Sequence, residues 1–461
     1  MSTPSLPASV FKAYDIRGIV PTQLNADFAF KLGYALGYQA HEAGIPAIVV
    51  GYDGRHSSPE LAEALLQGIE RAGTSTIALG LAPTPVVYYA AHTLNTLSAV
   101  AITGSHNPPD YNGFKIMMGG KTLYGADIQA LYTLMLNPIT THTTPGQRTE
   151  HTIIPDYIHE IQSTVQLARP MRIAVDCGNG AGGAVARQLF EALGCQADIL
   201  FEDVDGSFPN HHPDPADPDN IVDLIQHVQQ HDLELGLAFD GDADRLGVVT
   251  RSGEIIWPDR QLILYAQDIL TRCPGETIIF DVKCSRHVAL AIEAAGGTPL
   301  MWQTGHSLIK AKLAQTQAPL AGEMSGHTFF KERWYGFDDG LYSAARLLEI
   351  LSRYDQASAV LEALPKDVST PELKLEMAEG QAHDFVEQLK QTGKFATATH
   401  TITIDGIRAE YEDGFGLARA SNTTPIVVLR FEAQNEAALA RIQNEFKTAI
   451  LALDPTLELP F

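Results

Sequence analysis

The sequence predicts an α/β protein that contains three related α/β domains with mixed or parallel sheets and a C-terminal α+β domain with an antiparallel sheet. Three observations predict this class. A strand–loop–helix–strand pattern occurs three times, the last part of the chain has a different pattern, and 461 residues that are 45% hydrophobic can fill several cores. The same composition excludes intrinsic disorder, collagen and coiled coil.

The first copy of the repeat illustrates its parts. An apolar, β-branched run at 46–51 predicts a strand that leads into a polar loop at Asp53. Ser58 is the expected N-cap of the following helix, with Pro59 at the first helical position and a glycine after the last. A second apolar run, at 76–80, predicts the next strand.

Two further copies follow the same plan. Their strands are predicted at 171–176 and 197–201, and at 277–281 and 298–302. Short apolar strands that alternate with helices indicate parallel pairing in a sheet that is covered on both faces. In open α/β sheets ligands bind beyond the carboxyl ends of the strands, so we expect the chemistry in the loops that follow these runs.

The C-terminal part differs because residues 401–404 alternate with period two and a long helix pattern follows the strand candidates. Strands are predicted at 401–404, 414–420 and 425–431, and a long helix at 436–453. Residues 365–371 form the candidate linker. The predicted domain boundaries are 1–150, 151–253, 254–366 and 367–461.

The net charge of the chain limits the classes of partner that it can bind. There are 32 basic and 55 acidic residues, and the formal net charge of −23 would repel nucleic acid and anionic membranes. We find neither a membrane-spanning segment nor a secretory signal, and the four cysteines form no C-x-x-C pair. We therefore expect a cytoplasmic protein, and we expect a monomer that acts on small molecules.

Three alternating carboxylates, Asp240, Asp242 and Asp244, follow the apolar run 235–239. They can converge on one hard cation, and a site of three acidic ligands suits Mg²⁺. An EF-hand is excluded, because Arg245 and Arg251 stand where that loop needs Gly and Glu. A solvated acidic turn stays open as the alternative.

A second polar loop contains Ser105 and follows the apolar run 98–102. A serine hydroxyl becomes a nucleophile when a base, a metal or a cation activates it, and His106 and Lys115 are nearby candidates. An Asn-Pro turn with incidental polar residues is the alternative.

Two glycine-rich segments resemble nucleotide-binding motifs. Residues 119–122 look like the end of a P-loop, but Lys115 stands where the first glycine is required. Residues 178–183 fit G-x-G-x-x-G, with Glu202 placed as a ribose-binding acid would be, so a nicotinamide oxidoreductase stays open beside a plain strand-to-helix turn.

Four further segments carry cations or hydroxyl-reading groups: 12–18, 304–307, 322–327 and 419–423. The last combines a guanidinium with hydroxyls and an amide, which suits a phosphate dianion. A nucleophilic serine, a magnesium site and a phosphate-binding segment together describe phosphoryl transfer.

Six motifs resemble the α-D-phosphohexomutase superfamily in order and spacing along essentially the whole chain. They are FKAYDIRG (11–18), GYDGR (51–55), TGSHNP (103–108), DGDADR (240–245), GEMSGH (322–327) and RASNT (419–423). The resemblance is closest to the bacterial bifunctional phosphomannomutase/phosphoglucomutase branch, which GEMSGH and the following FFKERWYGFDDG favour over phosphoglucosamine mutases.

The resemblance implies four domains around a central cleft, and it implies a role for each matching residue. Ser105 would be the phosphoserine and, with Asp240, Asp242 and Asp244, would hold Mg²⁺. The acid/base and charge-stabilising candidates would be Arg17, Lys115, His306 and His327. The substrate-binding residues would be Tyr14, Arg245, Lys283, Ser307, Glu323, Ser325, Arg419, Ser421, Asn422 and Thr423. One departure is Ala243, where glycine is common; we expect a change in loop stiffness and unchanged chemistry.

The implied reaction interconverts the 1- and 6-phosphates of mannose and glucose through a hexose 1,6-bisphosphate, which also serves as activator. We expect the fourth domain to close over the cleft, because water would hydrolyse the phosphoserine. The alternatives are a phosphoglucosamine mutase, a metal-dependent sugar phosphatase with the same serine, and a sugar-phosphate-binding protein without catalysis.

Overall fold

A computed structural model describes residues 6–137, 144–422 and 424–461, which form four sheets in chain order. We call the units around these sheets domains one to four. The elements of domain one are β1 (Ile16–Ile19), α1 (Ala26–Glu42), β2 (Ala47–Tyr52), α2 (Ser58–Arg71), β3 (Ser75–Leu81), α3 (Thr84–Thr93), β4 (Ala99–Ile102), β5 (Tyr111–Met118), β6 (Lys121–Thr122), α4 (Ala126–Leu136) and β7 (Arg148–Glu150).

The sheet of domain one has the order β1-β5-β4-β2-β3-β7, with β6 beside β5. Strands β4, β2, β3 and β7 are parallel, whereas β5 is antiparallel to both of its long neighbours. Both faces of the sheet are buried. Ile48 and Val50 join the core formed with α1 and α2, and Val49 between them joins the core formed with α3.

Domains two and three repeat this plan with fewer strands. The elements of domain two are α5 (Ile154–Thr164), β8 (Arg172–Asp176), α6 (Ala186–Ala192), β9 (Gln196–Leu200), α7 (Val222–Gln230), β10 (Leu235–Phe239), β11 (Leu246–Thr250) and β12 (Ile255–Ile256). Those of domain three are α8 (Pro258–Leu270), β13 (Thr277–Asp281), α9 (Arg286–Ala294), β14 (Thr298–Trp302), α10 (His306–Thr316), β15 (Leu320–Gly322), β16 (Thr328–Phe330), α11 (Gly340–Leu351) and α12 (Ala357–Glu362). The strand orders are β12-β11-β10-β8-β9 and β14-β13-β15-β16.

Domain four has an antiparallel sheet of order β17-β22-β21-β20-β19, with β18 also beside β22. Its elements are β17 (Val368–Ser369), β18 (Leu373–Glu376), α13 (Gln381–Thr392), β19 (His400–Ile402), β20 (Ile407–Tyr411), β21 (Gly414–Ala420), β22 (Ile426–Ala433) and α14 (Glu436–Leu453). Among the helices in the described ranges, none is long and apolar enough to span a bilayer.

The predicted fold class is confirmed, and the sheets of the first three domains are mixed. In each, an antiparallel partner follows a parallel strand: β5 after β4, β11 after β10 and β16 after β15. The repeat did not predict these partners. The boundaries at 150, 253 and 366 stay predictions, and the candidate linker 365–371 contains β17.

The predicted N-cap of α2 is wrong. The cap position is Ser57, without a side-chain cap, and Ser58 is already helical, so Pro59 takes the second helical position. The Ser58 hydroxyl instead donates to Asp53 at 2.6 Å, because that buried carboxylate lies within its reach.

Two aspartates at strand ends, Asp53 after β2 and Asp281 at the end of β13, organise the loops beside them. Asp53 accepts hydrogen bonds from the Thr103 hydroxyl (2.8 Å) and the Gly104 amide (3.1 Å), so it ties the end of β2 to the loop after β4. Asp281 likewise accepts from the Thr304 hydroxyl at 2.8 Å and from the Met324 amide at 3.1 Å. Each aspartate therefore joins loops of its own domain at the carboxyl ends of the strands.

Candidate active site

The cleft receives loops from the ends of strands in all four domains. The serine loop, residues 103–110, joins β4 to β5, and the acidic loop, residues 240–245, joins β10 to β11. Domain three contributes residues 303–306, after β14, and 322–327, after β15, and domain four contributes residues 421 and 422, after β21.

Ser105 lies against the acidic loop. Its Oγ is 2.9 Å from Oδ2 of Asp240 and 3.1 Å from Nδ1 of His106, and the residue is 1% exposed. Burial and the neighbouring cations lower the pKa of His106 well below its usual range, so this ring is neutral. The serine oxygen is thus presented to the carboxylates of another domain.

The three aspartates form one cluster. Asp240, Asp242 and Asp244 are fully buried, and each offers an oxygen within 4.8 Å of the others. Asp242 accepts from the hydroxyl of Thr84, at the start of α3, at 2.5 Å. Its Oδ1 has no hydrogen-bond partner among the described residues, although the atom is buried. A buried carboxylate oxygen without a donor fits a metal ligand, and this oxygen-only set suits a hard divalent cation.

Lys115 supplies positive charge to this cluster. Its Nζ lies 2.7 Å from Oδ2 of Asp242 and 2.5 Å from Oδ2 of Asp244. Burial and the charges of the other two aspartates raise the pKa of Asp240 well above its usual range. Burial opposes ionisation of Asp244 too, but Lys115 and His327 hold its pKa well below the usual range. Lys115 is the cation that contacts two of the three carboxylates, whereas Arg245 lies 3.9 Å from Asp240 and His327 lies 3.3 Å from Asp244.

Ala243 sits in the acidic loop with φ +59°, in the left-handed region that glycine favours. Alanine is strained there by about 1–2 kcal/mol, which explains why glycine is common at this position in the family that the motifs resemble.

His327 connects the acidic loop to domain three. Its Nε2 lies 3.3 Å from Oδ1 of Asp244, and its Nδ1 lies 3.1 Å from Oε2 of Glu323 and 2.9 Å from the Ser325 hydroxyl. Burial alone would lower the pKa of His327, but the two carboxylates raise it to about 9. Arg245 lies next to this ring, 3.3 Å from Nε2.

His306 is the counterpart of His327. The two rings stack with their centroids 5.6 Å apart. Nδ1 of His306 lies 3.2 Å from Oδ2 of Asp338, whose other oxygen accepts from Lys310 at 2.8 Å. Burial and Lys310 lower the pKa of His306, so the pair combines a neutral and a charged imidazole. The buried hydroxyl of Ser307 has no hydrogen-bond partner among the residues described.

Domain four contributes Arg419 to the cleft. The guanidinium is buried, and its Nε donates to Oδ2 of Asp405 at 2.9 Å. Asn422 donates to the Tyr14 hydroxyl, which itself donates to the Thr304 carbonyl at 3.0 Å. Residues from domains one, three and four therefore meet at Tyr14.

Two further predicted residues, Lys283 and Arg17, pair with residues distant in sequence. Lys283 pairs with Oε1 of Glu372 at 2.5 Å, and Arg17 donates to Asn107 in the serine loop at 2.6 Å and to Asp15 at 2.5 Å. Ser421 directly follows β21. Thr423 lies outside the described residues.

The glycine-rich segment 178–183 supports the acidic loop. The Ala181 amide donates to the Gly241 carbonyl at 2.9 Å, and a side chain at Gly180 would meet that carbonyl at 2.8 Å. A Cβ at Gly183 would lie 2.0 Å from the carbonyl oxygen of Glu202. Because protein fills the space over these glycines, the arrangement argues against a dinucleotide there.

Five residues in contact with the site were missed by sequence reasoning: Arg55, Thr84, Asp338, Glu372 and Asp405. Arg55 and Asp338 lie inside two motifs of the sequence analysis, GYDGR and FFKERWYGFDDG. Their place in these motifs could have identified them as site residues. The other three carry no local pattern that predicts a place in the site, because tertiary contacts alone bring them to the cleft.

Comparison with known proteins identifies the family of the chain. Four phosphoglucomutase/phosphomannomutase models match in order: alpha/beta/alpha domains I (8–140), II (155–253) and III (257–368) and the C-terminal domain (372–449). A phosphomannomutase/phosphoglucomutase of Pseudomonas putida is 52% identical over 459 residues, 99% of this chain and 98% of that protein. The chain belongs to the phosphoglucomutase/phosphomannomutase family.

Other relatives agree with this membership. A phosphoglucomutase of Neisseria gonorrhoeae is 53% identical over 458 residues, 99% of both chains. The crystal structure of a phosphoglucomutase/phosphomannomutase family protein from Burkholderia thailandensis matches with a TM-score of 0.95 and 51% identity, over 99% of this chain and 100% of that one. The resemblance to phosphohexomutases is confirmed.

Proposed function

We propose that this protein interconverts hexose 1-phosphates and hexose 6-phosphates, those of mannose and glucose, through a phosphoserine at Ser105 and a hexose 1,6-bisphosphate. One observation carries the proposal: a buried serine oxygen lies 2.9 Å from one of three clustered carboxylates, in a chain whose full-length relatives are named phosphomannomutase/phosphoglucomutase. Phosphoryl transfer needs this combination of an acceptor oxygen and charge stabilisation.

Asp240, Asp242 and Asp244 would hold Mg²⁺ together with an oxygen of the Ser105 phosphate. When bound, the cation neutralises charge on the phosphoryl oxygens. Arg17, which donates to Asn107 in the serine loop, and Lys115, which contacts Asp242, would supply fixed positive charge to the same group.

The two stacked histidines would divide the proton transfers. His327 carries a proton, since its pKa is about 9, whereas His306 is neutral and can accept one from a sugar hydroxyl. Environments that push two neighbouring pKa values apart are how enzymes assign acid and base roles.

The sugar would be read on the domain-three side by Glu323, Ser325 and Ser307. The phosphate that does not react would be held by Arg419, Ser421, Asn422 and Thr423, with Tyr14, Lys283 and Arg245 as further contacts. Because the bisphosphate must react from both ends, one phosphate site has to serve two orientations of the sugar. We also propose hexose 1,6-bisphosphate as activator and monomeric, cytoplasmic action on small molecules, without nucleic acid or membrane partners.

A coupled assay tests the proposal. The purified protein is given mannose 1-phosphate, glucose 1-phosphate or glucosamine 1-phosphate, with and without the matching bisphosphate, and both hexose 6-phosphate and free phosphate are measured. We expect isomerisation of the first two sugars, accelerated by bisphosphate. Free phosphate without isomerisation would identify a phosphatase instead, and turnover of glucosamine 1-phosphate alone would identify a phosphoglucosamine mutase.

A further inference from the structure

Arg55 is buried directly under the serine loop, although nothing in the proposed chemistry uses it. The residue is 1% exposed, and its Nε pairs with Oδ2 of Asp53 at 3.2 Å. Its two terminal nitrogens donate to four backbone carbonyls of the serine loop and the start of β5: Ser105 (2.8 Å), Asn107 (2.6 Å), Pro108 (2.5 Å) and Tyr111 (3.0 Å).

These bonds hold the backbone of Ser105 in an unfavourable conformation. Ser105 has φ +49°, in the left-handed region, which a residue with a Cβ rarely adopts. Such a conformation persists only where the surroundings determine it. The Ser105 amide donates to the Thr103 hydroxyl at 2.7 Å, and the Ser105 carbonyl accepts from Arg55, so this guanidinium fixes the carbonyl side of the residue.

Arg55 is itself enclosed by both domains that form the catalytic centre. A Cβ on Gly104 would lie 2.4 Å from the guanidinium carbon, and a Cβ on Gly206 would lie 2.6 Å from the Arg55 Cα. The Phe208 ring of domain two lies 5.1 Å from the same guanidinium carbon. The side chain therefore couples the position of the serine loop to domain two, which carries the acidic loop.

We propose that Arg55 is a positioning residue for phosphoryl transfer at Ser105. It touches no reacting atom and acts by holding the serine backbone so that Oγ faces the three aspartates. Only a guanidinium has five donors in a planar fork, so lysine at this position would keep the charge and lose most of the carbonyl contacts. This inference rests on the proposed function.

The test compares Arg55→Lys with Arg346→Lys. Arg346 is also fully buried, but it lies in α11 and pairs with Glu332, away from the serine loop. We expect kcat for glucose 1-phosphate to fall by about 100-fold or more in Arg55→Lys, with KM within about 3-fold of wild type, because a misplacement of about 1 Å can cost this much. In Arg346→Lys we expect kcat within about 3-fold, whatever its thermal stability.

A kcat within about 3-fold of wild type in a folded Arg55→Lys protein would overturn the inference, and so would equal losses of kcat in the two variants. If Arg55→Lys does not fold, Phe208→Ala replaces it, because it removes only the ring beside the guanidinium. We then expect kcat to fall about 5-fold at unchanged KM, and an unchanged kcat would overturn the inference.

A second measurement separates this inference from the proposed function. If the wild-type protein shows no isomerisation, the proposed function fails, and intact-mass spectrometry follows phosphorylation of Ser105 by glucose 1,6-bisphosphate instead. Slower phosphorylation in Arg55→Lys than in Arg346→Lys would support the positioning role. Equal rates, or no phosphorylation of any of the proteins, would refute it.

Discussion

Replacing Lys115 by methionine tests whether the acidic loop is held together by one buried cation. The Lys115 ammonium is the shared partner of two fully buried carboxylates, Asp242 and Asp244, at 2.7 and 2.5 Å. Methionine keeps the apolar stem and removes the charge. Breaking a buried ion pair by deleting one partner costs about 3–5 kcal/mol, because the remaining charge is left unpaired. We therefore expect Lys115→Met to lose about that much unfolding free energy in excess chelator.

Lys31→Met is the matched control. Its ammonium is also 2.7 Å from a carboxylate, that of Asp27, but the two side chains are 35% and 61% exposed. An exposed pair of this kind contributes about 0–1 kcal/mol. Urea unfolding followed by tryptophan fluorescence measures both variants. Trp334 is a suitable reporter, because it stacks on Tyr89 of domain one and on Tyr342 of domain three.

Magnesium provides the second arm of this experiment. We expect saturating Mg²⁺ to stabilise both variants, because both keep the three aspartates. The gain should be larger in Lys115→Met, because there the cation also takes over the charge that Lys115 supplied. The double variant Lys115→Met/Asp242→Asn should be more stable in chelator than Lys115→Met alone. Equal losses in the two lysine variants, or a Lys115→Met protein as stable as wild type in chelator, would refute the reasoning.

Four further predictions concern activity and closure. Ser105→Ala should remain folded and lose nearly all mutase activity; retention of a tenth of the rate, about 1.4 kcal/mol of barrier, would remove Ser105 from its role. Chelation should abolish activity and Mg²⁺ should restore it, so full turnover in excess chelator would contradict the metal site. Arg419→Ala should raise KM for both the 1- and the 6-phosphate, and an effect on one isomer alone would argue against a shared phosphate site. Small-angle scattering should report a more compact particle with substrate, and identical profiles would count against closure of domain four.

The sequence predicted the parallel strands well because their signal is local. The strands at 277–281 and 298–302 and the helix at 436–453 have the predicted bounds, since apolar β-branched runs, or a regular apolar face, mark each of them along the chain. The antiparallel strands β5, β11 and β16 were not predicted. The run at β11, Leu246–Thr250, is apolar and buried and was a usable signal, whereas polar residues interrupt β5 and β16 has only three residues.

The site was predictable to the extent that its chemistry sits in short motifs. Ser105 and the three aspartates could be named from their loops, and phosphoryl-transfer chemistry grouped them. Their 135-residue separation gave no geometric reason to place them in contact, and only the resemblance assigned them to one metal site. Asp405, which pairs with Arg419, stands directly before Gly406 in the turn between β19 and β20. An Asp-Gly pair predicts a hairpin turn, but it does not predict an ion pair with Arg419. The role of Asp405 follows from the sheet order, which places that turn beside β21.

The cations of the cleft are paired with carboxylates in the absence of substrate. This pairing affects how a bisphosphate could change its orientation in the cleft. The pairs are Arg17 with Asp15, Lys115 with Asp242 and Asp244, Lys283 with Glu372, and Arg419 with Asp405. A phosphate that binds Arg419 or Lys283 must compete with the resident carboxylate, so the net gain is smaller than for a free cation. If these cations were unpaired, an intermediate with two phosphates would bind too tightly to leave the phosphate site and bind again in the opposite orientation. In a protein of net charge −23, paired cations can thus recognise a dianion and still release it.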